Sequence, residues 1–170
     1  MKSEGIDIVL VVDISGSMGA MDYEKAGKRA TRIDTVKDVV RDFIRSRPND
    51  RIGLVVFGTH AYVASPLTLD HDWLERNLDR VRLGVVEGNT AIGAGLGTGV
   101  NRLRDTKAKS KVIVLLTDGG ENVRTPPAAE AATAAKEFQV RVYTIGAGSN
   151  TRQPVPVADA APVDVEAPAD

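Results

Sequence analysis

The chain has 170 residues, a formal net charge of −1, 42% apolar and 26% charged residues, and no cysteine. That length fits one domain with a full core. The near-neutral charge argues against nucleic acid as a partner, and the lack of cysteine excludes disulfides and thiolate metal sites. No apolar run approaches the roughly 20 residues that a membrane span needs. The start, MKSEGIDIV, has no signal-peptide pattern, because its apolar stretch is short and broken by Asp7.

In chain order, Ile8–Val12 is a short β-branched run that reads as a buried strand, of the kind found at the centre of parallel sheets. It stops at Asp13, and Ser15, Gly16, Ser17 and Gly19 follow. One carboxylate and two hydroxyls thus stand in Asp-x-Ser-x-Ser spacing where a strand ends, which is where open α/β sheets bind ligands. Such hard oxygen donors suit Mg²⁺ or Ca²⁺. A polar turn whose serines cap the next helix is the competing reading.

Gly19–Arg29 is a polar connection that the sequence leaves unassigned. A helix begins near Arg32: Ile33, Val36, Val40, Phe43 and Ile44 share one face, Thr31 and Asp34 resemble a capping box, and Pro48 ends the segment. Arg51–Phe57 is the next strand. Gly58–His60 turns it into Ala61–Pro66, which must run antiparallel and is an edge strand, where Pro66 is tolerated. Asp70–Arg80 is a short helix with Asp70 as its cap.

The loop Gly84–Asn89 leads to a helix opened by Thr90, with Ile92, Leu96, Val100 and Leu103 on one face. Gly93, Gly95, Gly97 and Gly99 weaken it, unless close approach to the sheet compensates. Lys111–Thr117 is a second fully apolar strand, ending in Asp118-Gly119-Gly120 and so repeating the design of the first. An Ala-rich helix runs from Pro126 to about Phe138, and Val140–Ile145 is the last strand. Strands alternating with helices predict an α/β fold: a doubly wound, mostly parallel, Rossmann-like sheet with one antiparallel edge strand and helices on both faces. Residues 1–149 form the domain, and 150–170 are a Pro/Ala-rich acidic tail or linker.

Asp13-x-Ser15-x-Ser17, Thr90 and Thr117-Asp118-Gly119 together resemble the metal-ion-dependent adhesion site of von Willebrand factor type A domains. DISGSM, RIGLVVFGTHAY, PLTLD, GNTAIG and VIVLLTDG are similar to bacterial aerotolerance (Bat-type) members. The resemblance implies a non-enzymatic protein-binding module. In it Asp13, Ser15, Ser17, Thr90 and Asp118 hold Mg²⁺, with Mn²⁺ or Ca²⁺ as substitutes, and an Asp or Glu of a partner completes the shell. It also implies a partner such as a MoxR-type AAA+ ATPase or another membrane-complex component, and a place as a domain of a bacterial inner-membrane protein facing the periplasm. Met18, Tyr62 and Gly119 are candidates for the partner-binding rim. The pattern departs from the family in its Gly119-Gly120 turn before Glu121 and Asn122, and in its tail, which stands where most members have another helix; the chain therefore reads as a trimmed domain or as one with an incomplete sheet flank.

Other readings compete for the strand-end carboxylate. Haloacid-dehalogenase-like phosphoryl transfer uses a strand-end Asp with Mg²⁺, but needs an acid two residues later, where this chain has Ser15. The other is the same scaffold with an inactive metal site. A P-loop fails because Ala94 and Gly95 occupy its Lys and Ser/Thr positions.

Overall fold

The computed structural model describes residues 5–19, 21, 23–25, 27–58, 60–82, 92–117 and 126–146. The strands are β1 (Asp7–Asp13), β2 (Tyr23–Lys25), β3 (Lys28–Ala30), β4 (Arg51–Phe57), β5 (Ala61–Thr68), β6 (Lys111–Thr117) and β7 (Val140–Gly146). The helices are α1 (Arg32–Arg45), α2 (His71–Arg80), α3 (Ile92–Leu103) and α4 (Pro126–Glu137), with a 3₁₀ turn at Gly16–Gly19 after β1.

The main sheet has the order β5-β4-β1-β6-β7. β1 pairs in parallel with both β4 and β6, and β6 with β7, whereas β5 is antiparallel to β4. This is the doubly wound, mostly parallel sheet with one antiparallel edge that the element pattern predicts. β1 is buried along its whole length, as a strand covered on both faces must be. Its side chains alternate between two cores. Ile8, Leu10 and Val12 pack with Ile33, Val36, Val40 and Ile44 of α1 and with Leu74 and Leu78 of α2. Val9 and Val11 pack with Ile92, Leu96 and Val100 of α3 and with the alanines of α4. Each of the Val, Leu and Ile side chains among them contributes roughly 1.5–3 kcal/mol on burial.

The local signals act as expected. Thr31 caps α1, its side chain accepting the Asp34 N–H at 3.1 Å. Asp70 caps α2 by accepting the Trp73 N–H at 3.1 Å. Pro66 lies in the edge strand β5, whose register against β4 shifts on either side of Leu54. Two of the α3 glycines mark close approach to the sheet. A Cβ on Gly95 would lie 2.7 Å from the Phe57 ring, and one on Gly99 would lie 3.1 Å from both Ile113 and Val11. Gly97 faces open space.

The connection left unassigned between Gly19 and Arg29 contains the antiparallel hairpin β2–β3, with Gly27 in the left-handed region at φ +78°. Its three-residue strands carry charges rather than an apolar alternation, so no period marked them. Asp7, which interrupts the apolar pattern, is buried and makes a two-pronged ion pair with Arg51, its register partner on β4. His71 is half-buried, with Nε2 2.8 Å from the Asp50 carbonyl oxygen. The tail 150–170, the loop Gly84–Asn89, Glu121 and Asn122 lie outside the described residues.

Candidate metal centre

The chain leaves β1 toward β4 on one side of the sheet and later reaches β6 on the other, so β1 is the topological switch point. The carboxyl end of such a strand faces the crevice where α/β sheets bind ligands. Asp13 stands there, fully buried. Its Oδ1 accepts the Ser15 N–H at 2.8 Å, and its Oδ2 accepts the Thr117 hydroxyl at 2.8 Å. One bond is local, and folds the loop back onto the strand. The other joins the tip of β1 to the tip of β6. Charge-assisted bonds of this kind orient a carboxylate that burial would otherwise penalise.

Beyond Asp13 the backbone tightens. The Ser15 carbonyl accepts the Met18 N–H at 3.0 Å, closing the 3₁₀ turn that contains Ser17. Ser15 is buried at the mouth of this turn. The Ile14 N–H donates to the Phe57 carbonyl at 2.8 Å, so pairing with β4 continues one residue past Asp13 and braces the loop from the other side.

Asp13 and Ser15 are thus brought to one place. Ser17 is on the same turn, but its side chain, together with Thr90, Asp118 and Gly119, lies outside the described residues. Asp118 follows directly on Thr117, whose hydroxyl already touches Asp13. Thr117 carries the family resemblance in the sequence without a role of its own; in the structure it touches Asp13, and a hydroxyl one residue before a strand-tip Asp is the signal for that contact. Tyr62, opposite Val56 near the tip of β4, is 59% exposed at this end of the sheet. Met18 corrects the rim expectation. It is fully buried in the core with Ile14 and Ile33, because the 3₁₀ turn directs it inward.

Among the described residues no three His, Asp or Glu side chains gather into a metal cluster. The donors at the β1 tip are instead one carboxylate with serine hydroxyls on the following turn, an all-oxygen set that fits a hard cation and does not fit a soft one.

Residues 8–121 match the von Willebrand factor type A domain model, and the chain belongs to that family. An uncharacterized protein of Borreliella burgdorferi is 34% identical over 148 residues, a match covering 87% of this chain and 42% of that protein. The chain spans about half the length of the curated relatives it matches. Among solved structures, an aerotolerance-related membrane protein from Bacteroides fragilis superposes with a TM-score of 0.75 at 26% identity, covering 92% of this chain and 74% of that one. Proximal thread matrix protein 1 from the mussel byssus, solved with a zinc-occupied adhesion motif, has a TM-score of 0.69 at 22% identity, covering 84% of this chain and 35% of that one; this likeness is one of fold. No helix among the described residues is long and apolar enough to cross a membrane.

Proposed function

We propose that this domain is a divalent-metal-dependent protein-binding module, and that it is not an enzyme. The observation that carries the reading is the Asp13 carboxylate, buried at the switch point and oriented by the Ser15 N–H and the Thr117 hydroxyl. In this reading Asp13, Ser15, Ser17, Thr90 and Asp118 hold Mg²⁺. A cation held largely by neutral hydroxyls remains electrophilic and attracts a further carboxylate. The partner supplies that Asp or Glu, and Tyr62 contacts the partner's surface beside it. The mussel protein's zinc-occupied motif supports metal binding by this fold, and Mg²⁺ is favoured here by the oxygen donors.

The partner class follows from family analogy: a MoxR-type AAA+ ATPase or another component of a membrane complex. By the same analogy the domain is the globular part of a bacterial inner-membrane protein, facing the periplasm; the Bacteroides fragilis membrane protein supports the link to a membrane protein. A phosphoryl-transfer role has no support at the site, since the position two residues after Asp13 is a serine hydroxyl and not the acid that such chemistry requires.

The test is calorimetric titration of the EDTA-stripped chain with Mg²⁺ and with Mn²⁺, alongside Asp13→Ala. Saturable one-site binding that the substitution abolishes, with folding intact, is the expected outcome. Equal binding by both proteins would sink the proposal.

A further inference from the structure

The hairpin β2–β3 joins the 3₁₀ turn at Gly16–Gly19 to α1 and stands outside the proposed metal shell. Both of its roots lie at the metal end of the domain. Met18 of the turn packs in one core with Ile33, in the first turn of α1. Ala30, the last residue of β3, is buried, and Thr31 beside it caps α1. The far end of α1 leads instead to Asp50, whose Oδ1 accepts the Ile6 N–H just before β1 begins. A strand rises about 3.3 Å per residue, so three-residue strands keep the whole hairpin within about 10 Å of its root.

The charges of this hairpin are held differently from those elsewhere. Arg41, Arg45, Arg47 and Arg51 each pair with a carboxylate. Lys28 and Arg29 are exposed and form no salt bridge or side-chain hydrogen bond among the described residues. Residues 25–32 hold four cations and no carboxylate, in a chain of net charge −1. Glu24 is the register partner of Arg29, but Lys28 stands directly opposite Lys25. Like charges at opposed positions of an antiparallel pair are destabilising. Lysines on a short ribbon also discourage pairing with a stray strand, yet that purpose does not call for two of them face to face.

We propose that Lys28 and Arg29 read the sequence around the partner's metal-bound carboxylate and select an acidic segment, one with a further Asp or Glu three or four residues from the first. This rests on the metal-dependent function proposed above. An extended segment advances about 3.3 Å per residue, so three or four residues cover the roughly 10 Å over which the hairpin reaches. A lone carboxylate satisfies the metal and leaves the hairpin unused. Charge at a rim of this kind adds selectivity and speeds encounter.

The test titrates the ¹⁵N-labelled chain, in saturating Mg²⁺ and low salt, with two capped Gly/Ser peptides followed by NMR. One carries a single central Glu; the other carries Glu also four residues to either side. The acidic peptide should bind about three- to tenfold tighter, and only it should shift the Lys28 and Arg29 amides. Lys28→Gln with Arg29→Gln should remove that margin, while Mg²⁺ affinity by calorimetry, binding of the single-Glu peptide and the thermal unfolding temperature stay unchanged. Lys28→Arg with Arg29→Lys should keep the margin. Equal binding of the two peptides, no binding of the acidic one, or a margin that survives the Gln substitutions would overturn the proposal, and saturable Mg²⁺ binding in the same samples would leave the metal centre standing. Failure of Mg²⁺ to bind, or an acidic peptide that binds equally well in EDTA, would remove the metal reading and this proposal with it. Phosphatidylglycerol vesicles that shift the two amides when the acidic peptide does not would reassign the hairpin to a membrane surface, and so overturn the proposal as well.

Discussion

Thr117 and Asp13 meet across the tips of β6 and β1, hydroxyl to carboxylate at 2.8 Å, although 104 residues separate them. Thr117→Val keeps the shape of the side chain and deletes this one bond. It leaves a buried carboxylate oxygen without that donor, so a loss of about 1–3 kcal/mol is expected in urea denaturation. Mg²⁺ affinity should fall as well, because the carboxylate loses a bond that orients it. A variant that lost stability but bound Mg²⁺ as before would show that Thr117 serves folding alone.

Two glycines on α3, two residues apart and on opposite faces of the helix, should respond in opposite directions. Gly95→Ala drives a methyl to within 2.7 Å of the Phe57 ring and 3.1 Å of Val11, an overpacking that costs typically 1–3 kcal/mol. Gly97→Ala meets nothing within 4 Å and should stabilise by up to about 1 kcal/mol, through helix propensity. Thermal unfolding of the two variants decides this. Equal effects would mean that helix propensity, not contact with the sheet, governs α3.

Asp7→Ala removes one partner of the pair with Arg51. The Asp7 side chain is only 4% exposed, whereas that of Arg51 is 45% exposed and can turn to water. The cost should therefore lie near that of a charged hydrogen bond, about 1.5–3 kcal/mol, and below that of breaking a fully buried pair. The hydrogen bond to Asp7 raises the Arg51 pKa above its already high ordinary value, so the guanidinium keeps its charge throughout the neutral range. Urea midpoints of Asp7→Ala and Arg51→Ala measure this, and the aspartate substitution should be the milder, since it leaves the exposed partner behind.

Lys37 makes stability depend on alkaline pH. Its ammonium donates to the Val81 carbonyl at 2.6 Å. Burial, followed by the nearby Arg82, lowers its pKa below the ordinary 10.5, and Asp34 and Asp79 only partly oppose this. The folded chain thus gives up this proton before the unfolded chain does. Its contribution to stability is least favourable at low and neutral pH, where both states are charged, and improves as pH rises from the folded pKa toward 10.5. Lys37→Met should flatten the rise of the urea midpoint with pH in that interval; an unchanged slope would assign it to other groups.

Much of the scaffold was legible because buried parallel strands announce themselves. β1, β4 and β6 are nearly continuous apolar runs, and their ends fall at Asp13, Phe57 and Thr117 as the sequence suggests. The edge strand β5 and the caps at Thr31 and Asp70 follow from turn length and cap chemistry, whereas the glycines of α3 left a loose helix and a close approach both open, and the structure places Gly95 and Gly99 against the sheet. What escaped were features set by direction or by distant partners. Met18 is one residue from Ser17 and looks like a rim residue in one dimension, but the sense of the 3₁₀ turn sends it into the core. Asp7 looks like an interruption until Arg51, 44 residues away, arrives beside it. The hairpin β2–β3 has strands too short for any periodicity to develop.

The position of β1 between β4 and β6 also governs when the centre can exist. The Ser15 N–H reaches Asp13 as soon as the loop bends, but the second bond to that carboxylate waits for a strand made about a hundred residues later. Contacts of such separation form slowly, because closing a long loop costs entropy before any contact offsets it. A growing chain that has completed β1, β4 and β5 therefore carries the whole Asp-x-Ser-x-Ser loop without the β6 hydroxyl on its carboxylate. Full assembly of the centre reports that β6 has inserted, and on that order of events a truncated or half-folded copy is a poor competitor for whatever the finished domain binds.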